Sequence, residues 1–236
     1  IPYDVSTKVY AGDSKRCVLT GTDGNTIYDL DISSDGMRLF VVSRRVHATD
    51  KDGDKVYGFD LTSPYDISTC SLASETENLD NAVLTIGSNA GDFGYTTNEG
   101  GNLNNLEKHR LQSVEINNNG SKLFLLFMDS ASETVNGRLY EFDLSTPYDV
   151  STLSIVTSAG IEIGTATQTG VTNPAGMRFS PNGKRLIITS HAHNGIRRVL
   201  QVSLSNGFDT SSFTIDGSRI LGGSGNEMSE ACLLYT

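Results

Sequence analysis

Apolar and polar residues alternate along this chain in short runs, and a Gly preceded by Asp or Asn repeatedly interrupts them. Three stretches share the pattern: LDISSDGMRLFVV at 30–42, VEINNNGSKLFLLF at 114–127 and MRFSPNGKRLIIT at 177–189. Asp-Gly or Asn-Gly between alternating apolar residues predicts a hairpin tip, because tight turns need a positive φ that Gly accepts and Asn or Asp tolerates. The strand leaving each tip is nearly all apolar, as expected of a strand covered on both faces. No run at i, i+3, i+4, i+7 is long enough for a substantial helix. The pattern predicts an all-β chain.

The hairpins belong to a longer repeat. After each comes an apolar strand that ends in a polar turn: VYGFDLTSPYD at 56–66, LYEFDLSTPYD at 139–149 and VLQVSLSNGFD at 199–209. The turn itself recurs as YDVST at 3–7, YDIST at 65–69, YDVST at 148–152 and FDTSS at 208–212. The intervals are 62, 83 and 60 residues (65−3, 148−65, 208−148). Self-similarity at such a period marks units that bury their apolar faces against one another. Each repeat offers four strands: one into the tip, one out of it, the FDL-type strand, and one after the SPYD turn. Pro64 and Pro147 suit the first central position of that turn. The neighbouring Tyr and Asp read as structural, the ring packing on the next strand and the carboxylate accepting local amide hydrogens.

Four-stranded sheets repeated radially make a β-propeller. The strand count predicts three complete antiparallel blades, with a lone outer strand near 3–18 and a lone inner strand near 231–236. The sequence repeats divide at about 1–64, 65–147, 148–207 and a partial 208–236. Closing a ring from this set calls for strands from a longer chain or from another copy, since open sheet edges template association. An oligomer is therefore expected.

The phrase GMRFSPNGKRLIIT resembles the blade repeats of YVTN-type and related bacterial surface propellers. FDLSTPYDVSTLS resembles tandem repeats in virion proteins of marine tailed phages and in secreted proteins of marine bacteria. The resemblance covers nearly the whole chain and is specific for the blade rather than for a chemistry. It implies a non-enzymatic recognition or assembly module, virion-borne, extracellular or at the cell surface. Its partners would be proteins of a tail, virion or surface appendage, or a host-surface glycan or protein. A secreted metal-dependent propeller hydrolase or lactonase, and a bacterial adhesin or filament subunit, are the alternatives.

Composition narrows the field. A net charge of −10, from 18 basic and 28 acidic residues, disfavours nucleic acid and anionic membrane surfaces as partners. The longest purely apolar run, 123–128, is far short of a membrane span. Cys17, Cys70 and Cys232 fall at non-equivalent points of the repeat, an odd count without CxxC spacing. They read as free, buried thiols, with one bridged pair open to an extracellular protein.

Candidate chemistry gathers in the irregular loops on one face. Asp50, Asp52 and Asp54 alternate in TDKDGDKVYGFD and could converge on Ca²⁺, although the glycine is one place early for an EF-type loop and the closing Glu is missing. No other cofactor is called for. His191 and His193 form an HAH without a third ligand at a recognisable spacing. The second interval is 21 residues longer than the first (83−62), through an insertion that includes 87–106. Phe93 and Tyr95 lie near its middle and are the aromatics expected to meet a partner. No catalytic motif occurs, and no catalytic residues are assigned.

Overall fold

The computed structural model describes residues 16–19, 26–44, 54–76, 79, 109–129, 137–156, 161–163, 174–190 and 197–222. Within them lie three antiparallel sheets. The first holds β1 (Thr26–Ile32), β2 (Arg38–Arg44), β3 (Lys55–Leu61) and β4 (Cys70–Glu75). The second holds β5 (His109–Ile116), β6 (Lys122–Asp129), β7 (Arg138–Leu144) and β8 (Leu153–Ile155), and a short β9 (Ile161–Glu162) also pairs with β7. The third holds β10 (Pro174–Phe179), β11 (Arg185–Ser190), β12 (Arg197–Leu204) and β13 (Phe213–Gly222). Strand order follows chain order in each. These are blades of a β-propeller, and β1, β5 and β10 are their inner strands.

The blades pack face to face through apolar side chains from alternate positions. Phe40, Val42 and Val56 of the first blade meet Val114, Ile116, Leu123, Leu125 and Phe142 of the second. Phe124, Leu126 and Leu139 of the second meet Phe179, Leu186, Ile188, Leu200 and Val202 of the third. The linkers take part as well. Leu79, beyond β4, and Ile163, beyond β9, are buried in these two junctions.

The three hairpin tips are equivalent, as the repeat requires. Gly36, Gly120 and Gly183 have φ of 72°, 72° and 68°. Each donates its N–H to the carbonyl three residues back, on Ser33, Asn117 and Ser180. The positive φ falls on the Gly alone, so each tip is a turn followed by a left-handed Gly. Asp35, Asn119 and Asn182 instead use a side-chain oxygen to accept the N–H two residues on, from Met37, Ser121 and Lys184.

The SPYD turn supplies what sits on each tip. Asp66 N–H donates to Ser63 O and Asp149 N–H to Thr146 O, so each Pro holds the first central place of its turn. The second central place, which favours Gly, is filled by Tyr65 and Tyr148 at φ 58° and 66°, and Phe208 occupies the matching position at 58°. The aromatic ring lies on the tip glycine of its own blade rather than on the next strand. A Cβ built on Gly36, Gly120 or Gly183 would come within 2.5, 2.5 and 2.3 Å of that ring. The Tyr65 and Tyr148 hydroxyls donate to Ser34 O at 2.9 Å and Asn118 O at 2.8 Å. The following Asp caps a short 3₁₀ turn: Asp66, Asp149 and Asp209 accept the N–H of Ser68, Ser151 and Ser211. That is the local amide role expected of them.

A further expectation fails. Cys17 and Cys70 form a disulfide rather than two free thiols. It ties the segment 16–19 to the first residue of β4, and Cys17 and Leu19 pack against the cluster of Leu39, Val41, Tyr57, Phe59 and Leu61. The two cysteines are not at matching repeat positions because the bridge joins a sheet to a segment beside it. Cys232, and the lone strands expected near 3–18 and 231–236, lie outside the described residues, apart from 16–18, which are not in a strand.

Candidate functional site

Functional groups converge where the three inner strands meet. Each inner strand carries a register shift before its alternating run, between Ile27 and Asp29, Leu111 and Ser113, and Pro174 and Gly176. A bulge of this kind re-aims the side chains that follow it. Counting back from the tip glycine, Asp29, Ser113 and Gly176 stand seven residues before it, and Asp31, Glu115 and Arg178 stand five before it.

These positions fasten each blade to the next. Asp29 Oδ2 accepts the Val114 N–H at 3.2 Å and the Ser113 hydroxyl. Asp31 Oδ2 accepts the Ile116 N–H at 2.9 Å. One blade on, Ser113 Oγ accepts the Met177 N–H and Glu115 Oε2 the Phe179 N–H, both at 3.2 Å. An inner strand has a partner strand on one side only, so half its backbone N–H groups need another acceptor. The preceding blade supplies it.

Arg178 departs from the pattern. It is a donor where its counterparts accept, and its Nη1 reaches Asp31 of the first blade and Glu115 of the second, the latter at 3.0 Å. Asp31 and Glu115 are 3% and 4% exposed, so two buried carboxylates share one guanidinium. Burial pushes the Asp29 and Asp31 carboxyls up, against the hydrogen bonds of Asp29 and the charge of Arg178 beside Asp31. Burial pushes Glu115 well above the usual carboxylate range, and the charge of Asp31 adds to it. An open cleft of about 190 Å³ lies beside the cluster, with Ser34, Asn118, Ser180 and Phe208 in its lining. Its lining comes from the hairpin tips and the ends of the inner strands that lead into them.

A second lock lies farther out on the sheets. Glu141, 2% exposed, pairs with Lys122 through Oε1. Its Oε2 accepts the Thr210 N–H at 2.8 Å and hydroxyl at 2.7 Å. At the first junction Ser74 Oγ accepts the Val150 N–H at 3.3 Å, and Gly58 stands where β7 has Glu141. A Cβ on Gly58 would lie 2.8 Å from that hydroxyl.

Of the predicted site residues, only Asp54 is described. It is 2% exposed, its Oδ2 accepts the Leu111 N–H of the next blade at 2.8 Å, and its carbonyl accepts the Leu79 N–H. It therefore works as a further fastening between blades. Asp50, Asp52, Phe93, Tyr95, His191 and His193 lie outside the described residues, as does the insertion 87–106. Among the described residues no group of three or more His, Cys, Asp or Glu is placed to hold a metal ion. No helix among them is long and apolar enough to cross a membrane. The inner-strand cluster escaped sequence reasoning, although one signal was present: charged residues at a fixed offset before three tip glycines.

No protein-family model and no curated protein matches the chain. Solved structures do. A proposed 6-phosphogluconolactonase of Bacteroides uniformis is 13% identical, with a TM-score of 0.40 over 85% of this chain and 57% of its own. The subtype N11 neuraminidase-like protein of A/flat-faced bat/Peru is 16% identical, with a TM-score of 0.37 over 88% of this chain and 56% of its own. The Cps50 (Swd1) β-propeller domain of Myceliophteria thermophila is 11% identical, with a TM-score of 0.25 over 82% of this chain and 73% of its own. This chain thus spans little more than half the length of the first two. At such scores the likeness carries no argument about chemistry, and the propeller is read from the three sheets.

Proposed function

We propose that this chain is a non-enzymatic propeller module for recognition and assembly, serving as a structural or host-contact component of a phage tail or virion. One observation carries the non-enzymatic part. The carboxylates that converge between the inner strands are spent on holding blades together: Asp31 and Glu115 each give one oxygen to a backbone N–H and the other to Arg178. A general acid, base or nucleophile needs an atom within reach of substrate, and these atoms are already engaged. The disulfide between Cys17 and Cys70 fits an oxidising location such as a virion or the cell exterior. The contacts of such a module are with protein partners or a host-surface glycan, through loops that differ between blades on a rigid scaffold.

Two measurements test this reading. The purified chain is assayed against a panel of lactones and aryl glycosides, with and without divalent metal; no turnover is expected. Hydrolysis that disappears in Glu115→Gln would overturn the reading in favour of a secreted hydrolase. Gold-labelled antibody to the chain, applied to particles and cells from the source culture, is expected to mark virions. Label confined to cell surfaces or filaments would instead assign an adhesin or filament subunit.

A further inference from the structure

We propose that Asp29, Asp31, Glu115 and Arg178 form a proton-operated clasp, which takes up protons as the pH falls from neutral to weakly acidic and thereby grips the three inner strands more firmly. The inference concerns the fold's response to pH and does not depend on the function proposed above. Its basis is the geometry of the cluster. Asp31 of β1 and Glu115 of β5, both almost wholly buried, share the one guanidinium of Arg178 from β10, and Asp29, two positions before Asp31, is held beside them by Ser113 and Val114. With every carboxyl ionised the cluster carries two negative charges more than its cation balances, and burial makes that imbalance expensive.

On the adjoining strands the described ion pairs of the other cations lie elsewhere, and His109 and Arg110 stand at the opposite end of β5 from Glu115. Arg38 of β2 pairs with Asp60, Lys122 of β6 with Glu141 and Asp143, and Arg185 of β11 with Asp216. Arg44 of β2 lies over the Tyr28 ring, 3.7 Å from its centroid. The direction of each carboxyl agrees with the charge count: Asp29, Asp31 and Glu115 are all raised, by burial first.

The sign of the effect follows. A carboxyl raised in the folded state binds its proton more tightly there than in the unfolded chain, so its stabilising contribution is fully present below the unfolded value. It is lost as the pH rises through the folded value. Acidification therefore strengthens this junction. The exposed Asp35, Asp209 and Asp216 are lowered, mainly by side-chain hydrogen bonds to Ser33, Ser211 and Ser203. They act in the opposite sense, but only below the ordinary carboxylate range. The four histidines also titrate between pH 5 and pH 8 but are common to the wild type and a Glu115 variant, so the difference between those two reads the clasp in that window.

The test is unfolding of the full chain at a series of pH values across that window. The folded-to-unfolded ratio of the wild type is expected to fall between pH 5 and pH 8, about tenfold for each pH unit by which a carboxyl stands above its unfolded value. Glu115→Gln, neutral at every pH, is expected to flatten that slope and to gain on the wild type at pH 8. A slope that is unchanged or steeper in Glu115→Gln overturns the proposal. Should the variant fail to fold, a carbon-detected NMR titration of Glu115 in the wild type decides: a midpoint above the ordinary glutamate range supports the clasp, and an ordinary midpoint removes it.

Discussion

Replacing Gly120 by Ala tests the repeat at its tightest point. The new methyl meets two separate obstacles. Gly120 sits at φ 72°, where an L side chain costs about 1–2 kcal/mol. Its Cβ would also lie 2.5 Å from ring carbons of Tyr148. That ring has little freedom to yield: its residue is fixed at φ 66°, the Tyr148 N–H donates to Gly120 O at 2.9 Å, and its hydroxyl donates to Asn118 O. Overpacking of this kind adds about 1–3 kcal/mol, so Gly120→Ala is expected to cost about 2–5 kcal/mol of stability. The two parts are separable in a double-mutant cycle measured by urea unfolding. In a Tyr148→Ala background the clash is gone, and the glycine substitution should cost only the backbone share of about 1–2 kcal/mol. The reasoning is refuted if Gly120→Ala is nearly neutral, or if its cost is the same with and without the ring.

Other substitutions probe the remaining fastenings. Reducing the Cys17–Cys70 bridge, which spans 53 residues of chain, is expected to lower stability by about 4 kcal/mol on the chain-entropy model, read as a fall in urea midpoint with reductant. Glu141→Ala leaves the buried Thr210 N–H and hydroxyl without their acceptor, while Lys122 keeps Asp143 at 3.3 Å, and is expected to cost about 1–3 kcal/mol, whereas a loss near zero would make this lock incidental. With Asp54 Oδ2 already accepting the Leu111 N–H, chelator is expected to leave the melting temperature unchanged; a clear fall would restore calcium at Asp50, Asp52 and Asp54. Replacing Phe93 and Tyr95 together by Ala is expected, on sequence grounds, to weaken assembly or partner binding while shifting stability by no more than about 0.5 kcal/mol, and normal binding would move the contact surface elsewhere.

The blade was legible because its periodic signals act locally. An apolar strand, a Gly tip and a Pro turn each constrain a few neighbouring residues, and their recurrence set the strand count and the equivalence of Gly36, Gly120 and Gly183. The inner-strand cluster was not legible by residue type, because Asp31, Glu115 and Arg178 share an offset but neither a charge nor a shape. What Asp31 and Glu115 share is a backbone N–H in the neighbouring blade, and a linear reading of the chain does not show which amides lack a partner. Tyr65 and Tyr148 at positive φ were hidden for a related reason. The residue that makes this conformation tolerable is a tip glycine 29 and 28 positions upstream (65−36, 148−120). The disulfide was missed because Cys17 and Cys70 occupy different phases of the repeat, so counting within the repeat could not pair them.

The fastening between blades has a direction. A blade receives through its backbone, which every sequence has, but it gives through side chains at two positions, which it must encode. Any copy of this unit can therefore follow the first or second blade, whereas nothing can follow the third by the same device, since Gly176 and Arg178 offer no acceptor there. Duplication within this lineage is open on one side of each blade and conditional on the other. New blades would be gained most readily behind Asp29 and Asp31 or behind Ser113 and Glu115. Giving the third blade this same fastening would require side-chain acceptors at positions 176 and 178 of β10.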